Sequence, residues 1–419
     1  MTSVEPTEDA ALPFARLPAL TPAPAAGPLT GTRVLDLTGS VAGPYATMLL
    51  GDLGADVLKV ERPPAGDDAR AWGPPFLDGD SLWFLAVNRN KRSLTLDWQH
   101  PEGAAVLHAL IARADVIVVN QPPGVLRKRG IDPGRMRAAH PRLIYVAITG
   151  FGLTGMRAEH TCYDLIAEGY SGVMDLTGEP EGEPQKVGTP AADMLAGQDA
   201  AMATLAALLA RGRSGTGCTI DIALVDSMTR FLSCRIVPYL GSGEVPRRTS
   251  GKDSVIAVYQ AFETADDPMT LGLGNDAIWN RFWHAVGRPN YATRPELATN
   301  ADRRAARTRI VADIAALLRT RPRSHWLGLC AAARVPAGPI NRVDEVAADA
   351  ELHARGLLYR LVADGRSIPQ VGMGIRFDDA AAIPHRAPPR LGADGAAALA
   401  DWLGYDAAAV AALRAQAII

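Results

Sequence analysis

From Thr32 onward, short apolar runs alternate with longer stretches in which apolar residues recur every three or four positions. Arg33–Leu37 and Val57–Glu61 predict strands, with a helix over Pro44–Leu53 between them. After a loop rich in glycine and proline at residues 63–80, Pro101–Arg113 predicts a helix with proline in its first turn. It feeds the continuous apolar strand Val116–Asn120, and Asp132–His140 and Leu143–Thr149 repeat the helix–strand step. Strands without polar alternation, separated by helices, imply a parallel sheet covered on both faces. The first domain is therefore expected to be α/β. Further on, Tyr163–Leu176 and Met194–Arg211 predict helices, Cys218–Leu224 a strand and Asp226–Tyr239 another helix.

Residues 241–253 have linker composition and predict a domain boundary. Beyond it lie strand patterns at Val255–Glu263 and Met269–Leu273, and helices at Asp276–Val286, Asp302–Arg319 and Ser324–Ala333. Two more strands are predicted near Leu357–Val362 and Ser367–Gly372, and two alanine-rich helices reach Ile419. A length of 419 residues accommodates this, since a domain takes roughly 100–200 residues.

Charge narrows the partners. With 43 Lys+Arg against 45 Asp+Glu, the net charge is −2, so the chain has no overall cationic field for nucleic acid or an anionic membrane. An anionic ligand must be met by a local basic patch. The cysteines (162, 218, 234 and 330) are scattered, and none of the eight histidines pairs at metal spacing. A cytoplasmic protein without a metal site is expected. Residues 1–28 are rich in proline and alanine and carry Glu5, Glu8 and Asp9, which reads as a disordered arm and not as a secretory signal. No apolar stretch reaches the roughly 18 residues that a membrane span needs.

Several residues are placed for chemistry. Asp36–Pro44 runs from strand through a glycine-bearing turn into a helix, like the start of a dinucleotide-binding unit, but it lacks G-x-G-x-x-G. Loops at the carboxyl ends of parallel strands are where such sheets bind ligands. Arg62 follows one such end, and Asn120, with Arg127-Lys128-Arg129 close behind it, closes another. A basic triplet alone reads as a solvated face, whereas two cationic strand ends together make a nucleotide-phosphate site. Asp193 follows a Gly/Pro-rich loop and precedes a long helix. It reads either as a helix cap or as a carboxylate nucleophile, which the helix N-terminus is expected to keep ionised. Position alone does not separate the two. Tyr163-Asp164 reads as a capping or packing pair, and Trp279 and Phe282 as core.

Taken together, six ordered segments resemble the class III CoA-transferases, the CaiB/BaiF family, over about residues 30 to 395. They are Val34–Thr38 with Ala42–Glu61, Asn88–Asp97, Ala114–Asn120, Tyr163–Ala167 with Gly172 and Thr177-Gly178, Gly215–Ser227, and Val335–Asn341. The resemblance implies an intertwined homodimer. Each chain would have a Rossmann-like large domain (29–240), a smaller inserted α+β domain with its linkers (241–355) and a C-terminal segment (356–419) returning to the large domain. It places the family's nucleophile on Asp193. Val41, Arg62, Leu96, Asn120, Lys128 and Asp164 fall where coenzyme A is met, Arg62 and Lys128 near its phosphates.

The implied reaction moves coenzyme A from an acyl-CoA to a free carboxylic acid through an acyl-aspartyl anhydride and an aspartyl-CoA thioester. Backbone N–H groups near Asp193 would hold the oxyanions, and coenzyme A is a substrate, not a tightly bound cofactor. The sequence departs from its relatives at four places, one being that the glycine-rich flap of formyl-CoA transferase has no counterpart. Tyr163 stands where α-methylacyl-CoA racemases carry histidine, Val41 where formyl-CoA transferase carries glutamine, and Leu391–Gly395 replaces the family's usual ending. Racemisation of a 2-methylacyl-CoA and coenzyme A binding without turnover are the alternative readings.

Overall fold

Six strands hydrogen-bond into one wholly parallel sheet: β1 (Arg33–Leu37), β2 (Asp56–Glu61), β3 (Lys91–Thr95), β4 (Val116–Val119), β5 (Ile144–Thr149) and β6 (Thr219–Ala223). Their spatial order is β3-β2-β1-β4-β5-β6. The computed structural model from which this is read describes residues 12–252, 255–378, 380–381 and 384–419. β4 and β5 are buried along their whole length, as continuous apolar runs require when both faces of a sheet are covered. The direction of building reverses between β1 and β4, and that reversal opens a crevice at the carboxyl ends of these strands.

The covering helices are α1 (Ala42–Asp52), α2 (Pro101–Ile111), α3 (Pro123–Lys128), α4 (Asp164–Ser171), α5 (Ala191–Ser214), α6 (Leu224–Phe231) and α7 (Gly395–Leu403). One core joins Leu35, Leu58, Leu94 and Ile117 of the sheet to Val106 and Leu110 of α2 and to Leu399 and Trp402 of α7. Each such side chain removed from water contributes about 1.5–3 kcal/mol. On the other side α5 crosses α1 closely: a Cβ on Gly197 would lie 2.7 Å from the Ala42 carbonyl oxygen. A larger residue there would push apart the two helix starts that frame the crevice.

Two features of the first unit differ from the expectation. β3 is absent from the predicted strands, because its Lys91 and Arg92 look like surface residues yet are buried against carboxylates. The arm expected to be disordered lies outside the described residues over 1–11. From Leu12 it is placed, with Ala19–Leu20 pairing in parallel with Arg360–Leu361. The unpaired edge of the Leu358–Ala363 strand supplies partners that composition does not reveal.

The chain divides into two compact units. The first runs to Gly172, resumes over Val187–Cys234 and takes Asp349–Ile419; the second holds Val173–Lys186 and Arg235–Ala348. Segment 173–186, read as part of the first domain, joins the second because Arg248 donates to the carbonyls of Asp175 and Glu179. The second unit has an antiparallel sheet of Tyr259–Phe262, Met269–Gly272 and Ala337–Pro339. Trp279 and Phe282 lie in its core, as the helical spacing predicts.

Candidate active site

At the crevice between β1 and β4, the loops that follow β1, β2, β4 and β5 and the first turn of α5 enclose a cleft of about 480 Å³. Its floor is the β1–α1 turn, which rests on buried charge. Asp36 accepts hydrogen bonds from Thr38 N and Oγ1 and from Thr47 Oγ1, and pairs with Lys91 at 3.1 Å. Burial alone would raise its pKa, but Lys91 and Lys59 more than reverse this and hold the carboxyl well below its usual range. Lys59, fully buried, donates to Thr38 O (2.7 Å) and pairs with Asp67 (2.9 Å). Asp67 in turn accepts from Ser40 N at 2.9 Å. That bond fixes Ser40 at φ +67°, a left-handed conformation that non-glycine residues adopt only when their surroundings impose it.

Three amides of this turn are engaged. Thr38 N is bound by Asp36, Gly39 N by Asn120 Oδ1 and Ser40 N by Asp67. A dinucleotide-binding turn keeps such N–H groups free for a pyrophosphate, so the Thr38–Ser40 part of the turn is a locked support, while no side chain caps the helix start at Val41.

Asp193 lies in the cleft wall, half-buried, in the first turn of α5. Burial first, and then the carboxylate of Asp164, push it up to about 7. Against the expectation that the helix start keeps Asp193 ionised stand burial and the Asp164 charge. Two amides of the helix start are engaged elsewhere: Ala192 N (2.8 Å) and Asp193 N (3.3 Å) both donate to Asp164 Oδ1. The capping role belongs to Asp164, reaching over from α4. The same bonds remove these two N–H groups from the expected oxyanion site.

Comparison with known proteins gives the family. The model of CoA-transferase family III matches residues 29–395. The chain belongs to CoA-transferase family III. A succinate–glutarate CoA-transferase of Agrobacterium fabrum is 40% identical over 381 residues, covering 89% of this chain and 95% of the relative. A human succinyl-CoA:glutarate CoA-transferase is 34% identical, covering 94% and 90%. Among solved structures, a CaiB/BaiF family protein from Brucella suis superposes with a TM-score of 0.78 at 40% identity, covering 90% of this chain and 99% of that one.

For this family III transferase, the structure sorts the residues expected to meet coenzyme A. Arg62 and Asn120 line the cleft with Asp193. Asn120 also grips the floor, donating to Gly39 O at 2.8 Å. Val41 is buried one residue outside the cleft wall, between Ser40 and Ala42, which do line it. Leu96 is core, its side chain in the sheet's hydrophobic cluster and its N–H bonded to Glu61 O. Lys128 is exposed and stays outside the cleft, whereas Arg129 enters it. Asp164 is the cap just described.

Trp98, and Arg129 of the basic triplet, are not among the residues that the resemblance assigns to coenzyme A. Both line the cleft, the guanidinium standing 5.8 Å from the indole centroid. The basic triplet was the available signal, but which of its members turns inward depends on how α3 ends. His160, Cys162 and Tyr163 complete the wall beside Asp193.

Arg62 has a side chain 61% exposed, 3.9 Å from Asp68, and is free to reorient toward a phosphate. Arg62→Ala is expected to raise KM for an acyl-CoA roughly 3- to 30-fold with little change in kcat, since a contact held equally in ground and transition states acts on KM. Steady-state kinetics check this. An unchanged KM with a reduced kcat would remove Arg62 from phosphate binding.

Proposed function

We propose that this CoA-transferase moves coenzyme A between dicarboxylic acids, a succinyl-CoA-type thioester serving as donor, with Asp193 as the covalent relay. What supports the reaction path is the Asp193 carboxylate itself, half-buried in the cleft wall and held near neutrality in its titration. The names of the relatives, which pair succinate with glutarate, support the substrate class.

In this path an Asp193 oxygen attacks the thioester carbonyl carbon, the C–S bond breaks and the CoA thiolate leaves with the electron pair. The thiolate then attacks the aspartyl carbonyl of the anhydride, releasing the donor acid and leaving an aspartyl-CoA thioester. The acceptor carboxylate repeats both steps in reverse and regenerates Asp193. A cleft that excludes water protects both intermediates from hydrolysis.

We further propose that the enzyme acts as a homodimer in the cytoplasm, with the second unit corresponding to the family's inserted domain. Met202 and Leu209 on α5 and Phe231 on α6 stand exposed on the first unit, and a second copy covering them would bury that apolar surface.

The test of function is incubation with succinyl-CoA and isotopically labelled glutarate, followed by mass analysis. Glutaryl-CoA should appear in step with free succinate while total thioester stays constant. Accumulation of free coenzyme A, or no exchange across a panel of dicarboxylates, would contradict the reading.

A further inference from the structure

The first turn of α5 is held from outside. At the start of any α-helix four N–H groups lack a helical partner; here two of them, on Ala192 and Asp193, donate to a single oxygen of Asp164. Pro190, in the capping position, provides no side-chain bond. Asp193 therefore presents its carboxylate to the cleft beside a second carboxylate, while the amides that would naturally stabilise its charge are occupied.

We propose that Asp164 is a positioning residue for the transfer: it fixes the turn that carries Asp193 and withholds the local amides from the Asp193 carboxylate, leaving that carboxylate directed at the thioester. The inference rests on Asp193 being the nucleophile. Its chemical logic is one of matched leaving groups. In the first step a carboxylate lone pair forms the new C–O bond and the thiolate departs with the C–S pair, with no proton and no redox partner required. An ordinary aspartate titrates near 3.8, far below a free thiol at about 8.5, so its displacement of the thiolate runs uphill. A carboxylate at about 7 stands much closer to the thiolate it must displace.

Beyond burial, the neighbours leave Asp164 as the charge that acts on Asp193. On the segment preceding α4 stand His160, Cys162 and Tyr163; burial, and next the Asp193 charge, push the Cys162 thiol up to about 11. On α1, Tyr45 lies beneath Gly197. Thr149 from β5, Leu224 from α6, and Gly39 and Ser40 from the floor carry no charge. Glu61, Arg62, Asp67, Asp68 and Arg129 also border the cleft, yet the charge acting on Asp193 is that of Asp164.

Asp164→Asn keeps the size and one oxygen for the two amides while removing the charge. The acid limb of kcat/KM is expected to move about one pH unit lower than the parent's, and the plateau to fall roughly tenfold as the nucleophile weakens. Asp164→Ala, which frees both amides to turn to Asp193, should move the limb further in the same direction. Thermal melting of each variant separates these effects from loss of fold. If either folded variant gives a limb and plateau that superimpose on the parent, the inference is wrong. Hydroxylamine trapping of acylated parent enzyme keeps the two levels apart. A label on Asp193 with unchanged Asp164-variant profiles sinks this inference alone, while a label elsewhere sinks the nucleophile assignment and this inference with it.

Discussion

Asp193→Ala and Asp193→Asn are expected to abolish CoA exchange, with kcat reduced by at least about 10⁴ because no other group takes over a lost covalent relay. The substitutions should cost little stability. Asp193 is only half-buried, its carboxyl accepts no hydrogen bond among the described residues, and the helix start it sits in is capped by Asp164. Removing a carboxyl that burial and a like charge already disfavour relieves a conflict more than it creates one. Light scattering should give the mass of a pair for parent and variants alike, and KM-independent binding of coenzyme A should persist. Near-normal turnover by either variant would return Asp193 to a purely structural role. A monomer mass for the parent would contradict the proposed dimer.

The second large effect concerns the cleft floor. Lys59→Met replaces a fully buried ammonium by an apolar side chain of similar length and leaves Asp67 and the Thr38 carbonyl without their partner. Breaking one member of a buried ion pair typically costs about 3–5 kcal/mol, because the remaining charge stays in a poorly solvating interior. A drop of that size in the free energy of unfolding, read from urea denaturation, is the expected result. Because Asp67 also holds Ser40 N, the variant should bind acyl-CoA more weakly as the turn loosens. Parent-like stability would mean that water reaches Asp67, which the burial of both groups argues against.

What the sequence reveals and what it hides follow one physical line. Strands such as Val116–Val119 and Ile144–Thr149 announce themselves because every residue is apolar. Lys91–Thr95 does not, since its buried cations are matched to Asp36 and Asp56, partners 55 and 36 residues away. Ala19 and Leu20 are placed by a strand more than 300 residues later, beyond the reach of local composition. The same holds in the site. Asp193 and the two strand ends at Arg62 and Asn120 are legible because loops after parallel strands converge. Leu96 and Lys128 miss the cleft by the phase of their backbone, while Trp98 and Arg129 beside them enter it. Asp164 is visible as a cap in the sequence, but that it caps the helix of Asp193 and not its own requires the fold.

The most direct test of the covalent account is to incubate the enzyme with a donor already shown to exchange, omit the acceptor, and treat it with hydroxylamine. An anhydride or thioester on Asp193 should become an aspartyl hydroxamate in the tryptic peptide running from Val187, after Lys186, to Arg211. Fragmentation then distinguishes Asp193 from Asp199 within that peptide. The account predicts the hydroxamate on Asp193; an unmodified Asp193, or a label on any other carboxylate, would contradict it.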